Sequence, residues 1–433
     1  MKIFLAIDLG ASSGRHVVGY QEGKDIVLKE IHRFKTEMDD SSDGLVWDIP
    51  RLWEEIKTGI RKAFAQYGEI ESLSIDTWGV DYILLNGDKE IPPYYAYRNE
   101  RCLKSSQKAH QIVAFKEIYK RTGIQFAPFN TIYQLYDDLQ EGRLEKATDY
   151  LMLPSYFTYK LTGIKTHEYT DESTGALLSA ETGEYDKDLL DRLGLPQKLF
   201  GKIQKPGYKA ERLLPEIQNE VGGNCDVVLC PSHDTASAFE AVDVPGDGII
   251  LSSGTWSLLG IKSRIPIVSE TSLQANYTNE GGVGYIRFLK NIMGMYVSNR
   301  LRKETEWTYS DIAQGVEESS YDETFDINDS SLSAPENMKE AVLNLLKHHL
   351  PTTDFDLFRS IYRSMAIGYA KAVEELERIT GKTYRYIYVL GGGANNEFLN
   401  KQIERFTNKE IIAMPIEATA LGNIKSQMKG MKP

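Results

Sequence analysis

A histidine, an aspartate and a threonine stand side by side at residues 233–235, within the segment SHDTAS. They follow the apolar run CDVVLC, which is typical of a buried strand, and precede ASAFEAV, which is typical of the start of a helix. A strand that ends in an ionisable pair at a helix N-terminus is an unusual choice for packing alone. We therefore treat Asp234 and its neighbours as candidates for a functional site, with a helix N-cap as the other role that fits Asp234.

A turn of small residues near the N-terminus is a candidate phosphate-binding loop. In DLGASSGR, Asp8 ends an apolar strand and five small residues follow within the next six. Such a turn exposes backbone N–H groups and hydroxyls, which can wrap phosphate oxygens. A carboxylate at the strand end suits a hard cation bound through water. Taken alone, an ordinary hairpin turn explains these residues equally well.

Two further turns of small residues lie in the second half of the chain, in LSSGTWSLLG (251–260) and VLGGGANN (389–396). Three consecutive glycines let a flat ring approach the backbone, and a helix N-terminus favours negative charge. Neither pattern is a Walker loop or a dinucleotide fingerprint. Together with the first turn, they favour a nucleotide lying between two halves of the chain.

The segment SIDTWGVDYILL (74–85) combines two carboxylates, Asp76 and Asp81, with Trp78 and Gly79. Proteins often hold sugars with an aromatic ring beside hydrogen-bonding carboxylates. The segment is therefore a candidate sugar site, and a core aromatic is the other reading of Trp78.

The elements around these motifs predict a duplicated α/β architecture. Each half opens with a strand, a small polar turn and a second strand, and each continues into an amphipathic helix, over 47–67 and 355–381. The seam between the halves falls near residues 235–245. The acidic, Ser-rich stretch 315–340 is predicted to be a solvated loop.

Composition limits the class of protein. A chain of 433 residues predicts two domains, and a net charge of −12 without a basic stripe argues against nucleic-acid binding. No apolar stretch approaches the roughly 18 residues of a membrane span, and the N-terminus does not read as a signal peptide. Cys102, Cys225 and Cys230 have no metal-site spacing, which suits reduced thiols in the cytoplasm.

The motifs occur here in the order found in the L-rhamnulose kinases, a branch of the FGGY carbohydrate kinases, which the chain resembles from residue 3 to about residue 423. That family belongs to the superfamily of sugar kinases, actin and heat-shock chaperones. The motifs that carry the resemblance are DLGASSGR, SIDTWGVDYILL, IQFAPFNTIYQL, PSHDTASA, LSSGTWSLLG, NEGG, LKNIMG and VLGGGANN.

The resemblance implies an α/β fold of two ribonuclease-H-like lobes of the actin and hexokinase type, with a cleft between them. Residues 1–238 would bind the sugar and phosphates, and residues 239–433 would bind the nucleotide. The implied reaction transfers the γ-phosphoryl group of MgATP to the 1-hydroxyl of L-rhamnulose in the cytoplasm, by a monomer or homodimer, with Asp234 as the catalytic base.

Site residues follow from the resemblance position by position. The sugar residues would be Gly79, His233, Asp234, Thr235 and Asn291; the ATP residues would be Ala11, Ser12, Ser13, Gly14, Arg15, Thr255, Asn299 and Gly392; and the metal residue would be Asp8, acting through water.

Two features depart from the family pattern. The family commonly has aspartate where this chain has Asn99, which would alter Arg98 or the sugar site if that side chain takes part. The chain also ends soon after EATALGNI, where family members continue, so we expect a shortened second lobe with either lower thermal stability or a dimer that covers the gap. Three alternatives stay open: a kinase for fuculose, xylulose or another ketose, an actin-like or chaperone-like nucleotide switch, and an inactive shortened product.

Overall fold

The structure, a computed structural model, describes residues 1–243, 246–333, 335–414 and 417–430. The described residues form two compact units. The first contains Met1–Val242, Lys262–Phe288 and the residues from Thr419 on, and the second contains Asp243–Ile261 and Leu289–Ala418. The division of binding roles between residues 1–238 and 239–433 stays a prediction.

Residues 1–240 contain both strands and helices, and begin with five successive strands. In chain order they are β1 Phe4–Leu9, β2 Ser13–Glu22, β3 Asp25–Lys35, β4 Met38–Ser41, β5 Gly44–Trp47, α1 Ile49–Tyr67, β6 Ser72–Thr77, β7 Tyr82–Asn86, β8 Lys89–Glu90, α2 Cys102–Ile112, α3 Phe115–Thr122, α4 Thr131–Gln140, β9 Asp149–Met152, α5 Leu153–Thr162, β10 His167–Glu168, α6 Tyr169–Glu172, α7 Lys187–Arg192, β11 Ile203–Gln204, β12 Lys209–Arg212, α8 Pro215–Val221, β13 Asp226–Val228 and α9 Asp234–Glu240.

The remaining described residues also contain both strands and helices, with four successive helices from α11 to α14. The elements are β14 Gly248–Ser253, β15 Trp256–Ser263, α10 Glu270–Gln274, β16 Thr278–Gly281, β17 Ile286–Met293, α11 Tyr296–Lys303, α12 Tyr309–Glu318, α13 Met338–Leu345, α14 Asp354–Thr380, β18 Tyr386–Leu390, α15 Glu397–Thr407, β19 Glu410–Ala413 and α16 Ala418–Gly430.

The first unit is built on a six-stranded sheet in the order β12-β13-β6-β1-β2-β3. Strand β1 is antiparallel to β2 and parallel to β6, in a register that pairs Asp8 with Asp76. At the end of β6, Thr77 pairs in parallel with His233, and its N–H donates to the Ser232 carbonyl at 2.9 Å. Three neighbouring chain segments therefore reach the same edge of the sheet. Asp8, Asp76 and Asp234 lie there, one on each segment.

The second unit repeats the hairpin. Strand β14 is antiparallel to β15 and parallel to β18, which is parallel to β19. Both halves thus open with a hairpin, as the sequence predicts, and in the structure the first strand of each hairpin also has a parallel neighbour. The predicted fold class, an α/β chain with two sheets, is confirmed.

Helix α1 shows why the spacing of apolar residues in the sequence predicts a helix correctly here. Leu52, Ile56, Ile60 and Phe64 are all buried on one face, and the Asp48 side chain caps the helix by accepting from the Arg51 N–H. The spacing of four residues places these side chains on one stripe, which packs on the sheet.

Helix α16 completes the first unit. Its Ala420 and Ile424 pack against Phe4, Ala6 and Val17 on the face of the sheet opposite the α1 side chains. Among the described residues, no helix combines the length and apolar character needed to cross a membrane.

The prediction of a solvated loop over 315–340 is wrong in part. Helix α12 runs to Glu318, and Ile327, Leu332 and Met338 are each no more than 1% exposed. These few apolar residues anchor a segment whose average composition is acidic, because burial depends on individual side chains rather than on the mean.

Candidate active site

Asp234 is the first residue of α9, directly after the N-cap residue His233. Its side chain is 29% exposed, with Oδ1 at 3.4 Å from His233 Nε2 and at 3.1 Å from the Thr235 hydroxyl, which donates to it. Because His233 occupies the N-cap position, Asp234 is not the N-cap residue. Its carboxylate is held by its two neighbours and remains accessible, which is the arrangement that a proton acceptor needs.

Three carboxyl groups influence one another at this edge of the sheet. Burial raises the pKa of Asp234, and Asp8 adds to the rise while His233 opposes it. Burial also raises the pKa of Asp76, with a further rise from Asp8 and an opposing hydrogen bond from Asn423. The site thus concentrates negative charge, which a cation or a proton must offset.

The predicted phosphate turn, residues 10–14, is a closed loop. Gly10 N–H donates to the Ser13 carbonyl at 3.1 Å, and Ser12 is exposed at its tip, next to the half-buried Ala11. A Cβ at Gly14 would collide with the Phe34 ring. Arg15 follows in β2, where it pairs with Asp8 through Nε and an η nitrogen, both at 2.8 Å.

Arg287 is a site residue that the sequence analysis missed. Its side chain is fully buried; an η nitrogen donates to His233 Nδ1 at 3.1 Å, and the other lies 3.1 Å from Glu280 Oε2. His233 Nδ1 also lies 3.3 Å from Glu280 Oε2, and the other ring nitrogen, Nε2, faces Asp234. A buried arginine within YIRFLKN has no distinctive spacing, so only the fold reveals it.

Gly79 lies in the turn between β6 and β7, two residues past Thr77. A Cβ there would lie 2.9 Å from the Thr174 hydroxyl, so only glycine fits without displacing that side chain. The turn begins next to the strand position paired with His233. The structure therefore brings Gly79, His233, Asp234 and Thr235 to one edge of the first unit.

Trp78 and Asp81 do not form the open sugar platform that the segment suggested. Asp81 Oδ2 accepts from the indoles of Trp47 at 2.7 Å and Trp78 at 2.9 Å, and from the Tyr97 N–H at 3.1 Å. The two indole rings pack with centroids 4.2 Å apart, and Trp78 is 6% exposed. These buried side chains, joined by hydrogen bonds and ring packing, fix the conformation of the turn that carries Gly79.

The pH dependence of stability should report on Asp81. Burial raises its pKa to about 6 from 3.8, so the folded state binds more protons than the unfolded chain between these values. Stability from this group therefore falls as the pH rises from about 4 to about 6. Relative to Asp81→Asn, we expect the wild-type free energy of unfolding to drop by up to about 3 kcal/mol across this range in urea denaturation. Parallel pH curves for the two proteins would contradict this assignment.

Asn99, the first departure from the family pattern, is a structural residue. Its amide donates to the Asp43 carbonyl at 3.0 Å and the Leu45 carbonyl at 3.1 Å, and its Oδ1 accepts from the Arg101 N–H. A carboxylate could not donate these two bonds. The side chain thus fixes the β4–β5 hairpin.

The predicted nucleotide residues of the second unit lie on neighbouring segments. The Thr255 carbonyl accepts from the Tyr296 N–H at 3.2 Å, at the start of the helix α11 that carries Asn299. A Cβ at Gly391 would lie 3.0 Å from the Ser253 carbonyl, which places the glycine turn against the β14–β15 turn. At Gly392 a Cβ would meet nothing within 4 Å. Asn291 also belongs to this unit, in β17, where it is half-buried.

Comparison with known proteins identifies the family. The N-terminal domain of the FGGY family of carbohydrate kinases matches residues 3–239, and its C-terminal domain matches residues 249–431. The chain belongs to the FGGY family of carbohydrate kinases. It is an ATP-dependent sugar kinase, and a nucleotide switch without sugar chemistry is not supported.

Similar proteins narrow the class further. The chain is 38% identical to the rhamnulokinase of Oceanobacillus iheyensis, over 98% of this chain and 92% of that protein. It is 40% identical to the rhamnulokinase of Halalkalibacterium halodurans, over 99% and 93% of the two chains. Among solved structures it resembles a ligand-bound xylulose kinase from Lactobacillus acidophilus, with a TM-score of 0.85 at 17% identity over 100% of this chain and 90% of that one. Plasmodium falciparum glycerol kinase with ADP gives 0.78 at 14% identity, with the same coverage.

Proposed function

We propose that this enzyme transfers the γ-phosphoryl group of ATP to the 1-hydroxyl of L-rhamnulose, giving L-rhamnulose 1-phosphate and ADP in L-rhamnose catabolism. The observation that carries the proposal is the accessible Asp234 carboxylate between His233 and Thr235, in a chain similar over nearly its whole length to rhamnulokinases. A kinase for a related ketose is the alternative that remains.

Asp234 acts as the general base. As the sugar oxygen attacks the γ-phosphorus, the hydroxyl proton passes to the Asp234 carboxylate and ADP departs with the bridging oxygen. A raised pKa makes the carboxylate a stronger proton acceptor. His233 Nε2, at 3.4 Å from Oδ1, and the Thr235 hydroxyl hold the carboxylate in place.

The turns of small residues bind the nucleotide in this proposal. Residues 11–15 contact the phosphates through backbone N–H groups, hydroxyls and the Arg15 guanidinium. In the second unit, Thr255 and Asn299 contact the nucleotide. The open space at Gly392 suits the flat adenine ring.

Mg²⁺ fits the carboxyl groups of the first unit as a water-mediated partner. Asp76 Oδ1 is buried and has no hydrogen-bond partner among the described residues, and Asp8 pairs beside it in the sheet. No group of three or more His, Cys, Asp or Glu side chains in the described part of the chain is arranged to hold a metal directly. Mg²⁺ commonly keeps several waters and binds one or two carboxylates plus phosphates, so Asp8 would hold it through water. When bound, it neutralises charge on the β- and γ-phosphates.

The sugar preference tests the proposal. We expect ADP release to be several-fold faster with L-rhamnulose than with L-fuculose, xylulose or ribulose, because the chain is similar to rhamnulokinases. Without sugar we expect ADP release to be near zero, because the sugar-side residues act on a bound hydroxyl. A coupled ADP assay over this panel, with equal MgATP, measures the preference. Equal rates across the ketoses, or sugar-independent hydrolysis, would argue against rhamnulose as the substrate.

We further propose that the enzyme works in the cytoplasm as a monomer or homodimer, with sugar and ATP as its only ligands besides the metal. Its three cysteines are buried and unpaired, which suits a reducing compartment.

A further inference from the structure

Val80, next to Gly79, has a backbone conformation that is unfavourable for its residue type. Its φ is +69°, in the left-handed region. Three other non-glycine residues among those described have positive φ, Ala176, Asn276 and Asn408, and none of them is β-branched. Asparagine tolerates this region, whereas a β-branched residue there is a true outlier.

Hydrogen bonds on both sides of Val80 hold it in this conformation. Its N–H donates to the Thr174 hydroxyl at 3.2 Å. Its carbonyl accepts from the Thr131 hydroxyl at 2.8 Å and from the Gln134 amide at 3.1 Å. Three side chains from two other segments therefore impose the conformation, which is what a strained residue needs in order to persist.

Core packing does not explain the choice of valine. The Val80 side chain is only half-buried, while the residues before Gly79 and after Val80, Trp78 and Asp81, are buried. A glycine would adopt the same φ without steric cost, but it would also leave the turn free to adopt others. A β-branched residue has fewer sterically allowed φ and ψ values than glycine, so the hydrogen bonds that impose the positive φ leave the turn less freedom with valine than with glycine.

The strained residue lies where the proposed sugar residues meet. The Thr174 hydroxyl accepts the hydrogen bond from the Val80 N–H, and the same side chain would collide with a Cβ on Gly79. The turn starts just past Thr77, whose strand partner is His233. Any change of φ at Val80 would rotate the Gly79 peptide groups relative to His233 and Asp234.

We propose that Val80 is a positioning residue, whose strained backbone holds the Gly79 peptide groups against the sugar and so sets sugar affinity. The proposal rests on the proposed function, since it takes Gly79 as a sugar contact. Strained residues cluster at ligand clamps because the strain keeps the site organised before the ligand binds.

The test replaces Val80 with glycine. We expect Val80→Gly to leave the thermal unfolding midpoint unchanged or higher, because strain is relieved, yet to lower kcat/KM for the sugar by about ten- to a hundredfold. The loss should appear in the KM and calorimetric Kd for the sugar, with the KM for ATP unchanged. Amide hydrogens of residues 78–81 should exchange faster in the variant.

Two further variants separate positioning from other roles. Val80→Asn keeps a side chain that tolerates the left-handed region, so it should retain more sugar affinity than Val80→Gly. Asn408→Gly relaxes another positive φ, at the end of α15 in the second unit, and should leave sugar affinity unchanged.

The outcomes distinguish this proposal from the proposed function. If the wild type prefers another ketose, the named substrate is wrong, and the Val80 comparison is made with that ketose. If the wild type binds its sugar and Val80→Gly binds it equally well, the Val80 proposal alone is overturned. Equal losses in Val80→Gly and Val80→Asn would also overturn it, because they would indicate a side-chain contact. If the wild type binds no sugar in the panel, both proposals fail.

Discussion

Asp234→Asn should reduce kcat by about 10²–10⁴-fold, which is roughly 3–5 kcal/mol of barrier, while the sugar Kd changes far less. The amide keeps the size of the side chain and can still accept from the Thr235 hydroxyl, but it cannot take the proton of the attacking hydroxyl. Steady-state kinetics with calorimetric sugar titration separates the two effects. A variant that kept more than about a tenth of wild-type kcat would show that Asp234 is not the base.

Gly392→Leu provides the contrasting variant on the nucleotide side. The position faces open space in the second unit, so the fold should accommodate the side chain, while the proposed adenine site becomes crowded. We therefore expect a higher KM for ATP with a smaller change in kcat, the reverse of the Asp234→Asn pattern. A variant of Gly392 that bound ATP as tightly as the wild type would move the adenine site away from this turn.

Local sequence patterns were enough to predict most of the elements around the site. The apolar stripe of α1, the small-residue turns at 10–14 and 252–255 and the strand before SHDTAS depend on residues close in sequence, whose side-chain period or turn chemistry is visible directly. The position of Asp234 at the start of α9 is predictable for the same reason.

What the sequence could not reveal depends on partners far along the chain. From the sequence, Asp81 resembles a residue that binds a sugar. In the structure, the indole of Trp47, 34 residues away, donates to its carboxylate. The strain at Val80 depends on Thr131 and Thr174, and nothing in the letters of WGVD indicates a positive φ. Such features arise from tertiary hydrogen bonds, which have no period and no fixed spacing.

The environment of the Asp76 carboxyl also depends on a partner far along the chain. Asn423 in α16 donates to Asp76 Oδ2 at 2.5 Å, across 347 residues. Gln427, one turn later, donates to Asn423 and to the Leu5 carbonyl, and accepts from the Ser72 hydroxyl. The fully buried amides of α16 thus tie this helix to the carboxyl edge of the first sheet, although the sequence analysis assigned the end of the chain to the second lobe.

Arg287→Met should lower the free energy of unfolding by about 3–5 kcal/mol, because it leaves the Glu280 carboxyl buried without its counter-charge. In the wild type, the Arg287 charge and the His233 ring outweigh burial and hold the pKa of Glu280 below its ordinary value. Without Arg287, burial should raise that pKa above the unfolded value. The folded variant would then bind the extra proton, so its stability should recover as the pH falls and be lost as the pH rises. Urea denaturation between about pH 5 and pH 8 measures this slope.

The double variant Arg287→Met with Glu280→Gln separates stability from catalysis. It removes the unpaired charge, so we expect much of the lost stability to return and the pH slope to flatten. Catalysis should not recover, because the His233 ring, whose Nε2 faces Asp234, still lacks the Arg287 guanidinium that contacts its Nδ1 at 3.1 Å. We expect kcat of both variants to stay about tenfold or more below the wild type, as when a base loses the group that orients it. Full recovery of kcat in the double variant would mean that Arg287 serves only to balance Glu280, and that His233 keeps its orientation without it.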